Sequence, residues 1–267
     1  MPIGLIMSVA ALIALVPAAL LPLRGAHRPD PTFWIMLAVA VAGPLGVVFV
    51  LFAPGWRTGL SSALWLTITV SLMIFAGLAA RTRASWRLVP LLLPYLIVFG
   101  VLATVWQNQP ERALLEAGLS AWTQLHIGLA VIAYSLLTIG AVAGLSVFLQ
   151  ENALKAKRPT ALTRMLPSVA EGEELQSRLL LASAIVLGCG VISGMASQYV
   201  VVGSIFPFGH KAVLSLIAFA VIVALLVAHR RTGVRGRRAA RFVLLAYLLL
   251  TLAYPGVKFV TDVVLAN

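Results

Sequence analysis

Apolar and polar residues alternate along the chain in long blocks: apolar runs of roughly twenty residues are separated by short polar loops. A run of that length matches the ~20 residues that a helix needs to cross the hydrocarbon core of a bilayer. Eight such runs can be read, at Pro2–Leu23, Phe33–Phe52, Leu60–Ala80, Val89–Val105, His126–Leu149, Leu179–Val201, Lys211–His229 and Phe242–Val260. Backbone groups in lipid must bond within their own segment, so the pattern predicts an all-α, polytopic integral membrane protein with about eight transmembrane helices.

The basic residues follow the same alternation. Of the 20 Lys and Arg residues, 16 lie in the loops after the first, third, fifth and seventh segments. Because Lys and Arg are retained in cytoplasmic loops, these four loops are predicted to be cytoplasmic and both termini to face outside. We further predict two parts, residues 1–106 with helices 1–4 and residues 107–267 with helices 5–8. The polar loop Asn152–Ser177 is a candidate interaction surface on the cytoplasmic side.

The composition of the chain is typical of a membrane protein and argues against several other classes. The chain is 61% hydrophobic and 10% charged, whereas roughly a quarter of residues are charged in soluble domains. Its net charge of +12 lies in loops beside the apolar runs, which indicates contact with anionic lipid headgroups rather than nucleic acid. One cysteine, Cys189, allows no internal disulfide. No catalytic motif is present, so we expect no enzyme, and the lack of acids within the segments argues against ion-coupled transport.

Two histidines begin apolar segments on the predicted outer side. His126 opens the fifth segment and His210 precedes the seventh, so both imidazoles can share one depth. Such a pair can hold a metal or a haem iron between helices, with Lys211 and Arg112 as candidate partners for the propionates. Zinc fits less well than haem, because no carboxylate or cysteine lies nearby in sequence. The alternative is that each histidine simply hydrogen-bonds a loop carbonyl or a lipid headgroup.

Several sequence stretches resemble a known family. They are Leu125-His126-Ile127-Gly128 followed by Ala133-Tyr134, His210-Lys211-Ala212-Val213-Leu214-Ser215, and Gly233–Ala239 followed by Leu250–Tyr254 and Lys258–Val260. In these stretches the chain resembles cytochrome c assembly proteins of the CcsA/HemX type, and within them the YpjD-like inner-membrane branch. The resemblance covers roughly Leu125–Leu265, while the first four helices match in hydropathy and number.

The resemblance implies haem handling in a bacterial inner (cytoplasmic) membrane. It implies that His126 is an outer haem ligand with Tyr134 at the family's interval, that His229 is the membrane histidine near the end of the next-to-last helix, and that partners are cytochrome c maturation or tetrapyrrole-pathway proteins. The loop Ser197–Gly209 contains no tryptophan, and no histidine follows the last helix before Asn267. We therefore expect an accessory haem-binding protein and not a complete synthetase. The alternative is a regulatory or scaffold membrane protein, HemX-like, without stable haem binding.

Overall fold

The computed structural model describes residues 3–24, 30–53, 55, 59–82, 84–107, 121–202, 210–233 and 236–260. Every regular element within these residues is helical. The helices are α1 Ile3–Leu20, α2 Pro31–Phe52, α3 Leu60–Arg81, α4 Val89–Val105, α5 Ala121–Lys155, α6 Ala161–Met165, α7 Val169–Val202, α8 His210–Thr232, α9 Gly236–Thr251 and α10 Val257–Phe259. Single 3₁₀ turns follow α1 and precede α4, and a π-helical segment, Leu252–Gly256, joins α9 to α10.

Seven helices among the described residues are long and apolar enough to cross a membrane. Another apolar helix, Gly4–Leu20, is shorter than the predicted first segment. The expectation of an all-α polytopic membrane protein is confirmed, with seven full-length helices and one shorter apolar helix among the described residues. The outward orientation of the two termini stays a prediction.

Two helices extend well beyond a bilayer. α5 has 35 residues and α7 has 34, which makes each about 50 Å long at 1.5 Å per residue, against ~30 Å for a hydrocarbon core. Much of their surplus length lies at the end where the chain turns through α6, and we call residues 150–178 the polar extension. Gln150 Nε2 fastens this turn by donating to the carbonyl oxygens of Thr163 at 2.7 Å and Pro167 at 3.1 Å.

The helices pack around α5. Helices α1–α4 contact one another, whereas α5 packs on α3, α7 and α9, and α8 packs on α7 and α9. One buried apolar cluster joins α1–α4 to Ile139 and Val142 of α5, and a second joins Leu137 of α5 to α7, α8 and α9. α5 therefore packs with one face on α1–α4 and with another face on α7, α8 and α9. The predicted division at residue 106 stays a prediction.

The start of α2 and two buried threonines make hydrogen bonds within their own helices. Asp30 caps α2 by accepting from the Phe33 amide at 2.8 Å, with Pro31 at the first helical position, where its missing N–H costs nothing. The hydroxyl groups of Thr67 and Thr138 donate to carbonyl oxygens four residues earlier. Threonine can thus be buried in an apolar helix without an unpaired hydroxyl.

Candidate functional site

A cavity of about 510 Å³ opens among α5, α7, α8 and the α9–α10 region. Its lining residues follow helical spacing on each wall: His126, Ile127, Ala130 and Tyr134 on α5; Leu187, Gly190, Val191 and Gly194 on α7; Ala212, Ser215 and Leu216 on α8; Leu250, Ala253, Tyr254 and Lys258 at the C-terminal wall. Phe52, Ala63 and Leu66 close it from α2 and α3. Its volume lies in the range of roughly 300–1,000 Å³ typical of small-molecule and cofactor sites, which are likewise mostly apolar with few polar groups.

His126 lies at the end of this cavity that is predicted to be outer. Its side chain is half-buried, and its Nδ1 atom is buried with no hydrogen-bond partner in the described structure. A buried polar atom without a partner costs roughly 1–3 kcal/mol, so each such atom calls for an explanation. The imidazole also lies directly against α7, where a Cβ atom built on Gly194 would come within 2.9 Å of His126 Cε1.

The first turn of α5 is fixed to α7 beside this histidine. Trp122, one turn before His126, donates its indole Nε1–H to the carbonyl oxygen of Ser193 at 3.0 Å. Sequence analysis did not single out Trp122 for this bond. The bond sets the height of α5 against α7, and so sets where the imidazole meets the cavity.

Tyr134 lines the cavity further along α5 and belongs to a network of tyrosine hydroxyls. Tyr134 lies eight residues after His126, about 12 Å further along α5 at 1.5 Å per residue. Its hydroxyl is hydrogen-bonded to Tyr247 at 3.2 Å and to Thr251 at 3.1 Å. Tyr247 is in turn hydrogen-bonded to Tyr95 of α4. This network ties α5, α9 and α4 together, and interhelical hydrogen bonds of this kind add to helix association in membranes.

Lys258 supplies a cationic group to the lining. It lies in α10, beyond the π-helical segment, and its Nζ donates to the carbonyl oxygen of Gly59 at 3.4 Å. Pro255 lies within the π-helical segment, where its ring and missing N–H oppose a regular α-helical turn. Sequence analysis missed both Lys258 and Tyr254 as site residues, although a proline inside an apolar helical run was the available signal.

The other predicted outer residues are only partly described. His210 begins α8, and the next turn of that helix supplies Ala212 and Ser215 to the cavity, so the backbone of α8 approaches the space that His126 lines. The side chains of His210 and Lys211, and the whole of Arg112, lie outside the described residues. A shared site of His126 and His210 therefore stays a prediction.

His229 lies at the opposite end of α8, fourteen residues after Ser215, or about 21 Å along the helix. It lines a separate cavity of only about 20 Å³, together with Glu173, Gln176 and Ser177. The structure does not bring His229 to the cavity of His126. Among the described residues, no three or more histidine, cysteine, aspartate or glutamate side chains are grouped to hold a metal ion.

Comparison with known proteins supports the sequence resemblance. Residues 56–265 match the family described as "Cytochrome C assembly protein", a match that begins well before Leu125. The chain is 51% identical over 267 residues to an "Uncharacterized 28.8 kDa protein in nifR3-like 5'region" of Azospirillum brasilense, covering 98% of each chain. It is 28% identical over 200 residues to "Inner membrane protein YpjD" of Escherichia coli K12, covering 73% of each chain.

A more distant relative carries the name "Cytochrome c biogenesis protein CcsA", from Parasynechococcus marenigrum. The two are 23% identical over 183 residues, which cover 61% of this chain and 60% of the relative. No solved structure matches the chain significantly. The family match over most of the chain, together with the relative that is 51% identical over nearly its whole length, settles the assignment. The chain belongs to the cytochrome c assembly protein family.

Proposed function

We propose that this protein binds haem in the cavity beside His126 and acts as an accessory haem-handling protein of cytochrome c assembly. The observation that carries the proposal is the His126 imidazole, which lines a cavity of about 510 Å³ with its Nδ1 buried and unpaired. Imidazole is the usual axial ligand of haem iron. A ligand held at the edge of the ring that faces the cavity would explain why an imidazole is kept in apolar surroundings, while the buried Nδ1 stays against α7.

The other residues that line the cavity also suit a haem group. A porphyrin needs apolar walls, and most of the cavity residues are aliphatic or aromatic. Its propionates need a cationic partner, which Lys258 would supply beside the candidates Lys211 and Arg112. When bound, haem would supply a redox-active iron, which His126 would hold together with His210, our candidate for a second ligand. Tyr134 and Tyr254 would add aromatic surface to the apolar walls.

The wider role follows from family and sequence. We propose a bacterial inner membrane location, with His126 at the outer end and the polar extension in the cytoplasm, as the distribution of basic residues favours. Because the loop Ser197–Gly209 lacks tryptophan, we infer that the protein carries or stores haem for other maturation or tetrapyrrole-pathway proteins. We assign it no catalytic step of its own.

The direct test is an absorption spectrum of the detergent-purified protein before and after addition of haem. We expect a Soret band that saturates at one haem per chain, and a sharp band of low-spin haem after reduction. Haem dissolved in detergent alone, without protein, is the control. A purified, folded protein that shows no saturable Soret band after haem addition would overturn the proposal.

A second function is favoured by the polar extension. Its turn is held by Gln150 and by a capping box at Thr160 and Thr163, so it presents a defined surface that includes Glu174 and Arg158. We infer that a regulatory or scaffold protein without stable haem binding would use this surface for a cytosolic partner. Co-purification of such a partner, lost on replacement of residues 156–168 by a glycine-serine linker, would favour this function over the first.

A further inference from the structure

Gly194 lies where α7 touches the ring of His126. A Cβ atom built at Gly194 would lie 2.9 Å from Cε1, 3.5 Å from Nδ1 and 3.6 Å from Nε2 of that imidazole. Side-chain carbons do not approach other atoms as closely as 2.9 Å, so any residue other than glycine here would displace the ring. Nothing in the helical backbone itself requires glycine, because this position lies in the interior of α7, where glycine costs about 1 kcal/mol relative to alanine.

The neighbouring glycines differ from Gly194. A Cβ at Gly190, one turn away, would meet only Leu129 Cβ at 3.8 Å, which is an ordinary contact. A Cβ at Gly188 would meet the Phe219 ring, on α8, at 3.3 Å. Of the described glycines, Gly194 is the one whose missing side chain leaves room for a histidine.

The imidazole cannot relieve the contact by moving with its backbone. The Trp122–Ser193 hydrogen bond holds the first turn of α5 on the same stretch of α7, and α5 packs against α7 along its length. A side chain at position 194 would therefore turn the ring about its own side-chain torsions. That rotation would change both the plane of the imidazole and the burial of Nδ1.

We propose that Gly194 is the positioning residue of His126: by having no side chain, it lets Cε1 of the imidazole approach α7 closely and fixes the angle at which the ring meets the cavity. The inference rests on the proposed haem function for its consequence, since axial ligation depends on ring orientation. Changing groups that only orient a ligand typically lowers metal affinity about 10- to 100-fold. Gly194 acts in the same way, by packing rather than by hydrogen bonding.

The test compares Gly194→Ala with Gly140→Ala in the purified protein; Gly140 lies on α5 outside the cavity lining, and a Cβ there would meet only Leu179 Cβ at 3.4 Å. We expect Gly194→Ala to weaken haem affinity about 10- to 100-fold and to shift the reduced spectrum, while Gly140→Ala leaves both unchanged. Equal effects of the two substitutions would overturn the inference. Thermal unfolding of both variants provides the check on folding.

A double-mutant cycle separates positioning from packing. In a His126→Gly background, free imidazole can serve as the axial ligand and can adjust to a new side chain. There we expect Gly194→Ala to change haem affinity by no more than about twofold, as for independent sites. A penalty as large as in the presence of His126 would show that the added methyl group acts through helix packing, and would overturn the inference.

A measurement without haem keeps the two proposals distinguishable. Diethyl pyrocarbonate modifies accessible imidazoles, and mass spectrometry reports each histidine separately. Because Nδ1 of His126 is buried, we expect Gly194→Ala to speed modification of His126 while His229 serves as an internal reference. If the wild-type protein bound no haem but this change occurred, the proposed function would fail and the positioning role would stand. An unchanged rate for His126 would overturn the positioning role.

Discussion

Histidines line two cavities near opposite ends of the bundle, and the cavities have little else in common. The cavity of His126 measures about 510 Å³ and is walled mainly by apolar side chains. The cavity of His229 measures about 20 Å³ and includes a carboxylate, an amide and a hydroxyl from α7. The first has room for a cofactor and the second for about one water molecule. The same residue type thus has different surroundings at each end, decided by neighbours from other helices.

Removing each imidazole in turn tests whether the two cavities differ in haem binding. We expect His126→Ala to lower haem affinity by more than about 100-fold, because loss of a ligand exceeds the 10- to 100-fold cost of losing a group that orients one. His229→Ala should leave haem affinity within about twofold, since it lies outside the large cavity. Haem titration followed by absorbance measures both. A larger loss from His229→Ala would reverse the assignment of the two ends.

The second test concerns the stability of the bundle at the end where His229 lies. Gly236 begins α9 with φ +60°, its amide donates to the Glu173 carboxylate, and a Cβ there would collide with the Glu151 carboxylate. We expect Gly236→Ala to lower the free energy of unfolding by about 2 kcal/mol, from the left-handed backbone and the displaced carboxylate together. Thermal or denaturant unfolding in detergent measures the loss.

Gly233→Ala is the matched control for Gly236→Ala. Gly233 has φ +64°, but a Cβ there would meet nothing within 4 Å. Its substitution should cost only about 1 kcal/mol, from backbone strain alone. Equal losses at the two positions would show that the Glu151 and Glu173 carboxylates around Gly236 add nothing to the free energy of unfolding.

The third test addresses the network of tyrosine hydroxyls at the large cavity. Tyr247→Phe removes the hydroxyl that is hydrogen-bonded to Tyr95, Tyr134 and Thr138, and each interhelical bond contributes about 0.6 kcal/mol in membranes. We expect a loss of about 1–2 kcal/mol in the free energy of unfolding, from three such bonds. Tyr254→Phe is the control, because its hydroxyl takes no part in this network. If both substitutions were neutral, the hydroxyl network would not hold α4 to α9.

The smallest expected effect lies in the polar extension. Ser168 and Glu171 form reciprocal hydrogen bonds at the start of α7, with the Ser168 amide donating to the Glu171 carboxylate at 2.9 Å. Ser168→Ala should lower the free energy of unfolding by about 0.5–1 kcal/mol, as for other helix caps, and leave haem affinity unchanged. Ser168→Thr, which keeps the hydroxyl, should be close to neutral. A fall in haem affinity with Ser168→Ala would mean that the two ends are coupled.

The helices were predictable because a helix must have about 20 apolar residues to cross the hydrocarbon core of a bilayer. Their ends were less so: α5 begins at Ala121 and not at His126, and it ends at Lys155 and not at Leu149. Hydropathy detects the part of a helix that meets hydrocarbon, whereas α5 continues into polar surroundings. The sequence showed the polar extension as a charged loop, but it did not show that α5 and α7 continue into it as helices.

The candidate site was predictable only in part. His126 could be singled out as a polar residue at a predicted membrane boundary, and Tyr134 through the family interval. Whether any cavity lies beside them depends on how α3 and α8 pack, which no local pattern records. Lys258 reaches the site beyond a π-helical segment, and that extra residue in one turn shifts every later position around the helix.

The bonds between Tyr95 and Tyr247 and between Lys258 and Gly59 join residues 152 and 199 positions apart, and this separation has a consequence for biogenesis. Chains are made from the N-terminus at roughly 5–20 residues per second. The wall that α3 contributes is therefore in the membrane well before α9 and α10 exist to complete the enclosure. The cavity that we propose for haem is therefore complete only after the last helix is made, and we expect haem to enter it after that point.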